Sequence, residues 1–292
     1  MWNKVASRWF QPPNVNISQY CVSPDYWTGD NLGDHPLNHF LLPKLFRDLH
    51  QNVEHPKYIL LGCGSLLGAR RCCMSSDELS LPLLVYGSGY QYGKVEPLPE
   101  GSKVFCVRGH YTCDNFGLDK SCAVADPGIL LPQILPRDIS STEGKLARIY
   151  MWKHGRYRIK KILRRPQGAL KQKIREAKQR SSETGFDDVF TARTHGDFIG
   201  WLRRLWSCEK IETEAMHPAI IADAYGIPWK PLRWEQKWQD HFSMLGIDEK
   251  PKDFVLSDRQ KLAEKTQILW QRRDELCNYV NNIGEANQTV KC

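Results

Sequence analysis

Four side chains in this sequence can do acid–base or anion chemistry from where they stand: His217, Glu214, Arg108 and Asp34. His217 follows a strand-like run, KIET at 210–213, and precedes Pro218, which suits the first position of a helix over 218–225. Free N–H groups and the dipole at a helix start favour an anion, and an imidazole exchanges its proton near neutral pH. The same place also suits a histidine that only caps the helix. Glu214, three residues earlier, can orient His217, accept a hydroxyl proton, or simply complement the dipole. Arg108 ends the run VFCV before Gly109, placed for a two-point grip on a carboxylate or phosphate. Its structural alternative is a salt bridge to Asp126 at a neighbouring strand end. Asp34 closes the turn TGDNLGD, as a second base or as a turn former. Asp223 lies six residues beyond His217, faces elsewhere on the helix and reads as structural.

These residues need a scaffold, and the first half of the chain supplies one by repetition. YILL at 58–61, LLVY at 83–86, VFCV at 104–107 and CAVA at 122–125 each run into a small or polar turn. Continuous rather than alternating apolar strands imply burial on both faces, as in a parallel α/β sheet, which places ligands at its strand ends. Gly64-Ser65 and Gly87-Ser88-Gly89 occupy such ends, either to let the backbone approach a ligand or to ease packing. A second α/β unit follows, with a helix over 198–206, the strand 210–213 and the helix over 218–225. Gly226 is its left-handed cap and Pro228 blocks continuation. An amphipathic helix over 257–284 closes the chain, with Ser257 and Gln260 as a capping box, a stripe of Leu262, Leu269, Leu276 and Ile283, and Gly284 as its end. The division expected is an N-terminal unit over 1–135, a linker and basic insertion over 136–185, a C-terminal unit over 186–250 and a helical segment over 251–292.

Composition narrows the setting. With 292 residues, 41% hydrophobic and 25% charged, the chain is long enough for two cores. Its net charge of +8 is local: residues 145–180 hold fourteen Lys or Arg against one acid, Glu176. An exposed helix is expected over 169–180, and the basic segment as a whole is expected at the rim of a cleft. Tyr150, Trp152 and Tyr157 interleave with the charge, which leaves an RNA or anionic-surface reading open. No RNA-binding motif accompanies the run, so nucleic acid is not the expected partner. Ten cysteines without a single CxxC pair, and no apolar stretch of signal or membrane length, predict a reduced, cytoplasmic protein.

Read in order, six motifs form a pattern: TGDNLGD at 28–34, LGCGSLL at 61–67, VYGSGY at 85–90, VRGHYT at 107–112, ADPGILLP at 125–132 and TEAMHPAIIADAYGIPW at 213–229. Together they resemble the polysaccharide pyruvyltransferase family, in its exopolysaccharide branch, over roughly residues 28–250. The resemblance implies an α/β fold of two Rossmann-like domains, glycosyltransferase-B-like, with the site in the cleft between them. It implies phosphoenolpyruvate as donor substrate, no further cofactor and no metal. The acceptor would be a sugar or lipid-linked oligosaccharide, handled in the cytoplasm or at the inner face of a membrane that residues 145–180 would touch. His217 would be the general acid, with Glu214 or Asp34 as base. Arg108, Asn31, Gly33, Gly64, Ser65, Ser88 and Gly89 would hold the donor. Three departures stand out: Pro218 replaces the usual glycine after the histidine, an extra residue lies near His35-Pro36, and the second domain's opening strand is represented only by IYMWKH at 149–154. A nucleotide-sugar glycosyltransferase, or a degenerate member that binds anions or RNA, would share the same outline.

Overall fold

The computed structural model describes residues 15–16, 36–47, 58–68, 80–91, 95–138, 144–150, 186–189 and 195–289. Asn31, Gly33, Asp34 and the helix expected over 169–180 lie outside the described residues. The first half gives β1 (Val15–Asn16), helix α1 (Pro36–Leu45), β2 (Tyr58–Leu61), β3 (Leu83–Tyr86) and β4 (Lys103–Cys106). The four strands pair in parallel in that order. β3 is buried at every position and β2 at all but the first, as continuous apolar runs require. The expected strand over 122–125 is reduced to one parallel bridge, Val107 to Ala123. Just before it Lys120–Cys122 forms a short 3₁₀ turn, and just after it Pro127 opens another, leaving no room for a ladder.

Helices α2 (His110–Phe116) and α3 (Leu131–Ile134) complete this half. The second sheet then comprises β5 (Lys145–Tyr150), β6 (Phe186–Val189), β7 (Cys208–Thr213) and β8 (Trp229–Pro231), in the order β6-β5-β7-β8 and parallel throughout. β5 falls inside the stretch expected to be linker and insertion, and it is an interior strand. Ala147 and Ile149 are fully buried, and Arg148 is paired with Glu212 on β7 at 2.7 Å. The chain leaves β5 for the β6 edge and returns to β7 on the other side, so the connection reverses direction between β5 and β7. Ligands of parallel sheets favour the carboxyl ends of strands at such a reversal.

Helix α4 (His195–Trp206) packs beneath this sheet, and α5 (Met216–Ala224) follows β7. Gly226 takes the expected left-handed conformation after α5. Asp223 is fully buried and accepts hydrogen bonds from Trp229, Ser257 and Arg259, so it fixes α5 to the approach of the last helix. After α6 (Gln236–Phe242) comes α7 (Arg259–Thr289), longer than the helix expected over 257–284. It continues through Gly284, and its N-terminal amides at Gln260 and Lys261 bond to Asp258 rather than to Ser257. Ser257 is diverted to Asp223, which explains why the capping box does not form.

α7 returns to cover the first sheet. Leu269 and Leu276 are fully buried, Tyr86 donates its hydroxyl to the Leu269 carbonyl at 2.9 Å, and Tyr279 lies edge-on to Phe105. Core contacts run without a break from one half to the other, for example Phe40 on α1 against Phe198 on α4. Cys63 and Cys106 are buried free thiols within it, and burial pushes the Cys106 thiol well up, as for a small hydrophobe.

Candidate active site

The two halves meet through side chains that ordinary folding rules would keep apart from apolar cores unless they were paired. Asp126 caps the 3₁₀ turn at Pro127–Leu130, where one carboxylate oxygen accepts the Gly128 amide at 2.9 Å. Its other oxygen accepts the Gly64 amide at 3.3 Å and faces His217 Nε2, also at 3.3 Å. Asp126 is 0% exposed. Burial pushes its carboxyl up, but the charge and hydrogen bond of His217, then His241, then the Gly128 amide outweigh that and hold it below the usual carboxylate range.

His217 is the second residue of α5, not the residue ahead of it, because the helix begins two positions before Pro218. Pro218 thus sits within the first turn, where its missing N–H belongs to the set without intrahelical partners. The histidine is 7% exposed. A carboxylate only accepts, so the bond to Asp126 places a proton on Nε2 and leaves Nδ1 as the ring atom for chemistry. Glu214 stands at the carboxyl end of β7, 8% exposed, with its amide bonded to the Ile149 carbonyl at 2.9 Å. The carboxylate bonded to the histidine ring is therefore Asp126, contributed from 91 residues earlier.

Behind Asp126 lies His241 of α6, fully buried, whose Nδ1 accepts the Asp126 amide at 3.2 Å. Burial pushes this imidazole down to about 3, with Asp126 opposing and Arg108 and His217 assisting. It is a neutral ring carrying its proton on Nε2, and that Nε2 has no hydrogen-bond partner among the described residues.

Arg108 does not pair with Asp126. It is 0% exposed, and its Nε faces Asp240 of α6 at 3.2 Å, also 0% exposed. One terminal nitrogen donates to Ser65 Oγ at 2.9 Å and the other to the Tyr90 carbonyl at 2.8 Å. Asp240 further accepts the Thr112 amide and hydroxyl. A Cβ on Gly89 would stand 2.3 Å from the guanidinium carbon, and one on Gly109 would stand 1.7 Å from the Asp240 carbonyl oxygen. Both positions therefore exclude any side chain. Ser88 Oγ and the Gly89 amide both bond to the Gly64 carbonyl, so the first-half turns lock onto one another. The structure thus brings together Arg108, Gly64, Ser65, Ser88 and Gly89 as one mesh, with His217 joined to it through Asp126.

Sequence reasoning missed Asp240 and His241 altogether. Their signal is weak: an Asp-His pair inside an aromatic-rich helix, paired with residues over 100 positions away. Asn38 was missed too; its side-chain amide makes both a donor and an acceptor bond to the Cys63 backbone, pinning the LGCGS turn to α1.

Comparison with known proteins now bears on this geometry. A family model described as polysaccharide pyruvyl transferase matches residues 13–235. Succinoglycan biosynthesis protein ExoV of Rhizobium meliloti (strain 1021) is 26% identical over 262 residues, which cover 85% of this chain and 73% of that protein. No solved structure matches significantly. The matched span holds Gly64, Ser65, Ser88, Gly89, Arg108, Asp126, Glu214 and His217 and ends just before α6 with Asp240 and His241, and the chain belongs to the polysaccharide pyruvyl transferase family, as an enzyme of pyruvyl transfer.

Proposed function

We propose that the protein forms a pyruvate ketal on a sugar of a polysaccharide or of its lipid-linked precursor, with phosphoenolpyruvate as donor. The observation that carries this is the His217–Asp126 pair, an imidazole with a fixed proton at the start of α5, where the two sheets meet. In this reading the halves are two Rossmann-like units of a glycosyltransferase-B-like enzyme, divided near residues 133–144, and the donor lies between them.

His217 Nδ1, protonated in the reactive state, gives its proton to the methylene carbon of the enol. The former double-bond pair forms that C–H bond, and the adjacent carbon becomes oxocarbenium-like. A sugar hydroxyl adds there and loses its proton, phosphate departs with its C–O bond pair, and a second hydroxyl closes the ring. Of the two hydroxyl protons released, one restores His217 and one leaves with phosphate. Asp126 stabilises the imidazolium while the proton is in place. Glu214, at the adjoining strand end, takes the first hydroxyl's proton and hands it to the departing phosphate, and the α5 start offers its dipole to the donor's anionic ends.

Arg108 enters this scheme as a positioning residue. Its bonds to Asp240, Ser65 and the Tyr90 carbonyl hold α6 and the two turns in place. The basic run beyond β5 suits a lipid diphosphate acceptor, with Arg148 committed to Glu212. No helix among the described residues is long and apolar enough to cross a membrane.

The test is release of inorganic phosphate from phosphoenolpyruvate that depends on an added saccharide, together with thermal stabilisation by the donor. Stabilisation by nucleotide sugars and not by phosphoenolpyruvate would overturn the reading.

A further inference from the structure

We propose that Trp234 is the platform on which a pyranose ring of the acceptor saccharide stacks; the acceptor role rests on the pyruvyl-transfer reading above. Four aromatic rings form a graded series here. Trp229, Trp238 and Phe242 are fully buried, with Trp229 and Phe242 centred 4.2 Å apart and tilted by 31°. Trp234 is the outermost member, half-buried, 5.8 Å from Trp238 at 33° and 6.3 Å from Phe242 at 25°. The inner rings fix the orientation of the outer one, so an indole surface is held rigid at the edge of the protein.

Its location gives the platform a use. Trp234 follows the carboxyl end of β8, and the Leu232 amide two residues before it bonds to the Thr213 carbonyl at 2.8 Å. Thr213 is followed by Glu214 and the His217 turn, so the segment that carries the indole leaves β8 beside the strand end leading into the candidate site. Around it the polar groups come in exchangeable pairs. The Gln91 amide donates to Glu235 at 2.8 Å, and the Tyr111 hydroxyl donates to Gln236, also at 2.8 Å. Arg233 and Lys237 both approach Glu235, at 3.7 and 3.4 Å.

A sugar ring has the matching chemistry. One face presents C–H groups to an aromatic plane, and its rim of hydroxyls can take over amide, carboxylate and phenol partners, since each hydroxyl both donates and accepts. A nucleobase would also stack on an indole, and UMP in the test below separates that occupant from a sugar ring. The pairs bridge the halves as well: Gln91 and Tyr111 belong to the first, Glu235 and Gln236 to the second.

Trp234→Ala and Trp234→Phe enzymes test the assignment. With a saturating donor, Trp234→Ala should raise the acceptor KM by about tenfold, the loss of one aromatic contact, while leaving the donor KM unchanged; the melting temperature should fall with the lost packing on Trp238 and Phe242, so kinetics are taken where both enzymes are folded. Trp234→Phe, which keeps a stacking face, should recover most of that. A second arm needs no turnover: cellotetraose, laminaritetraose and UMP are titrated into wild type and both variants, with saturation-transfer NMR as readout. Trp234-dependent binding of a neutral tetrasaccharide supports the platform even if phosphoenolpyruvate proves inert. An unchanged acceptor KM in Trp234→Ala, binding of neither tetrasaccharide, or Trp234-dependent binding of UMP alone would overturn it.

Discussion

Two buried charge pairs join the halves of this protein, and they differ in what lies on their open side. Arg108 and Asp240 are both 0% exposed, and each is surrounded by further partners: Ser65 and Tyr90 for the arginine, Thr112 for the aspartate. Asp126 is equally buried, but its partner His217 keeps a small exposed edge and one ring nitrogen beyond the bond to Asp126. The first pair is closed and the second is closed on one side only. Enclosure on all sides favours fixed geometry, whereas one reachable atom backed by a buried counter-charge favours proton transfer. Arg108, expected at its strand end to hold the donor, is committed to Asp240, Ser65 and Tyr90, and in the proposed reaction the proton transfer falls to His217.

The largest effect expected is on turnover. His217→Ala should lower the rate of pyruvyl transfer per folded enzyme roughly 10²–10⁴-fold, the usual worth of a general acid; because it also leaves Asp126 buried without its partner, the melting temperature should fall as well, and rates are compared at a temperature where both enzymes are folded. A variant that still turns over at more than a tenth of the wild-type rate would break the contrast between the pairs. Next comes Arg108→Met, which leaves Asp240 charged and buried. Denaturant unfolding should show a loss of about 3–5 kcal/mol, with activity following the folded fraction. If stability held and only donor affinity collapsed, Arg108 would be a ligand group and the two pairs would exchange roles.

Asp126→Asn is the finer probe of the open pair. It keeps the shape but removes the counter-charge, so kcat should fall about ten- to a hundredfold with the acceptor KM unchanged. An unaltered kcat would assign Asp126 to folding alone.

The smallest effect concerns acid. His241 is held near 3 in the folded state by burial, against about 6.5 when unfolded. As pH falls below 6.5 the unfolded chain takes up a proton that the folded chain refuses, so stability declines by at most about 1.4 kcal/mol per pH unit. The carboxyl of Asp126, held below its usual range, adds its own loss only at lower pH, beneath about 4. The groups facing His241 are Asp126, Arg108 and His217. His241→Asn retains an acceptor for the Asp126 amide and cannot ionise. Chemical unfolding at pH 6.5 and pH 5 should therefore show a smaller difference in the variant than in wild type.

How far these features could be read from sequence depended on how local their causes are. YILL and LLVY form strands because every neighbour demands burial, and Gly226 ends α5 because its own backbone permits the turn. The opening strand of the second sheet reads in the sequence as IYMWKH over 149–154, whereas β5 runs over Lys145–Tyr150, because Lys145 and Arg148 look like the head of the basic run. Its arginine is paired with Glu212, which stands opposite on β7. His217 and Arg108 were visible as reactive side chains at element ends. Their partners were not, since Asp126 and Asp240 lie 91 and 132 positions away and no short-range pattern encodes which buried acid meets which base.

The return of α7 across the first sheet also sets the order in which this protein can be completed as it is made. The Tyr86 hydroxyl bonds to a carbonyl 183 residues further along, and β3 and β4 have their covering helix only when that segment exists. At ribosomal speeds of about 5–20 residues per second, the interval between the two is roughly 10–40 s. For that time a parallel sheet stands with an apolar face uncovered. A chain interrupted before Leu269 would thus be a client for chaperones and proteases rather than a smaller enzyme.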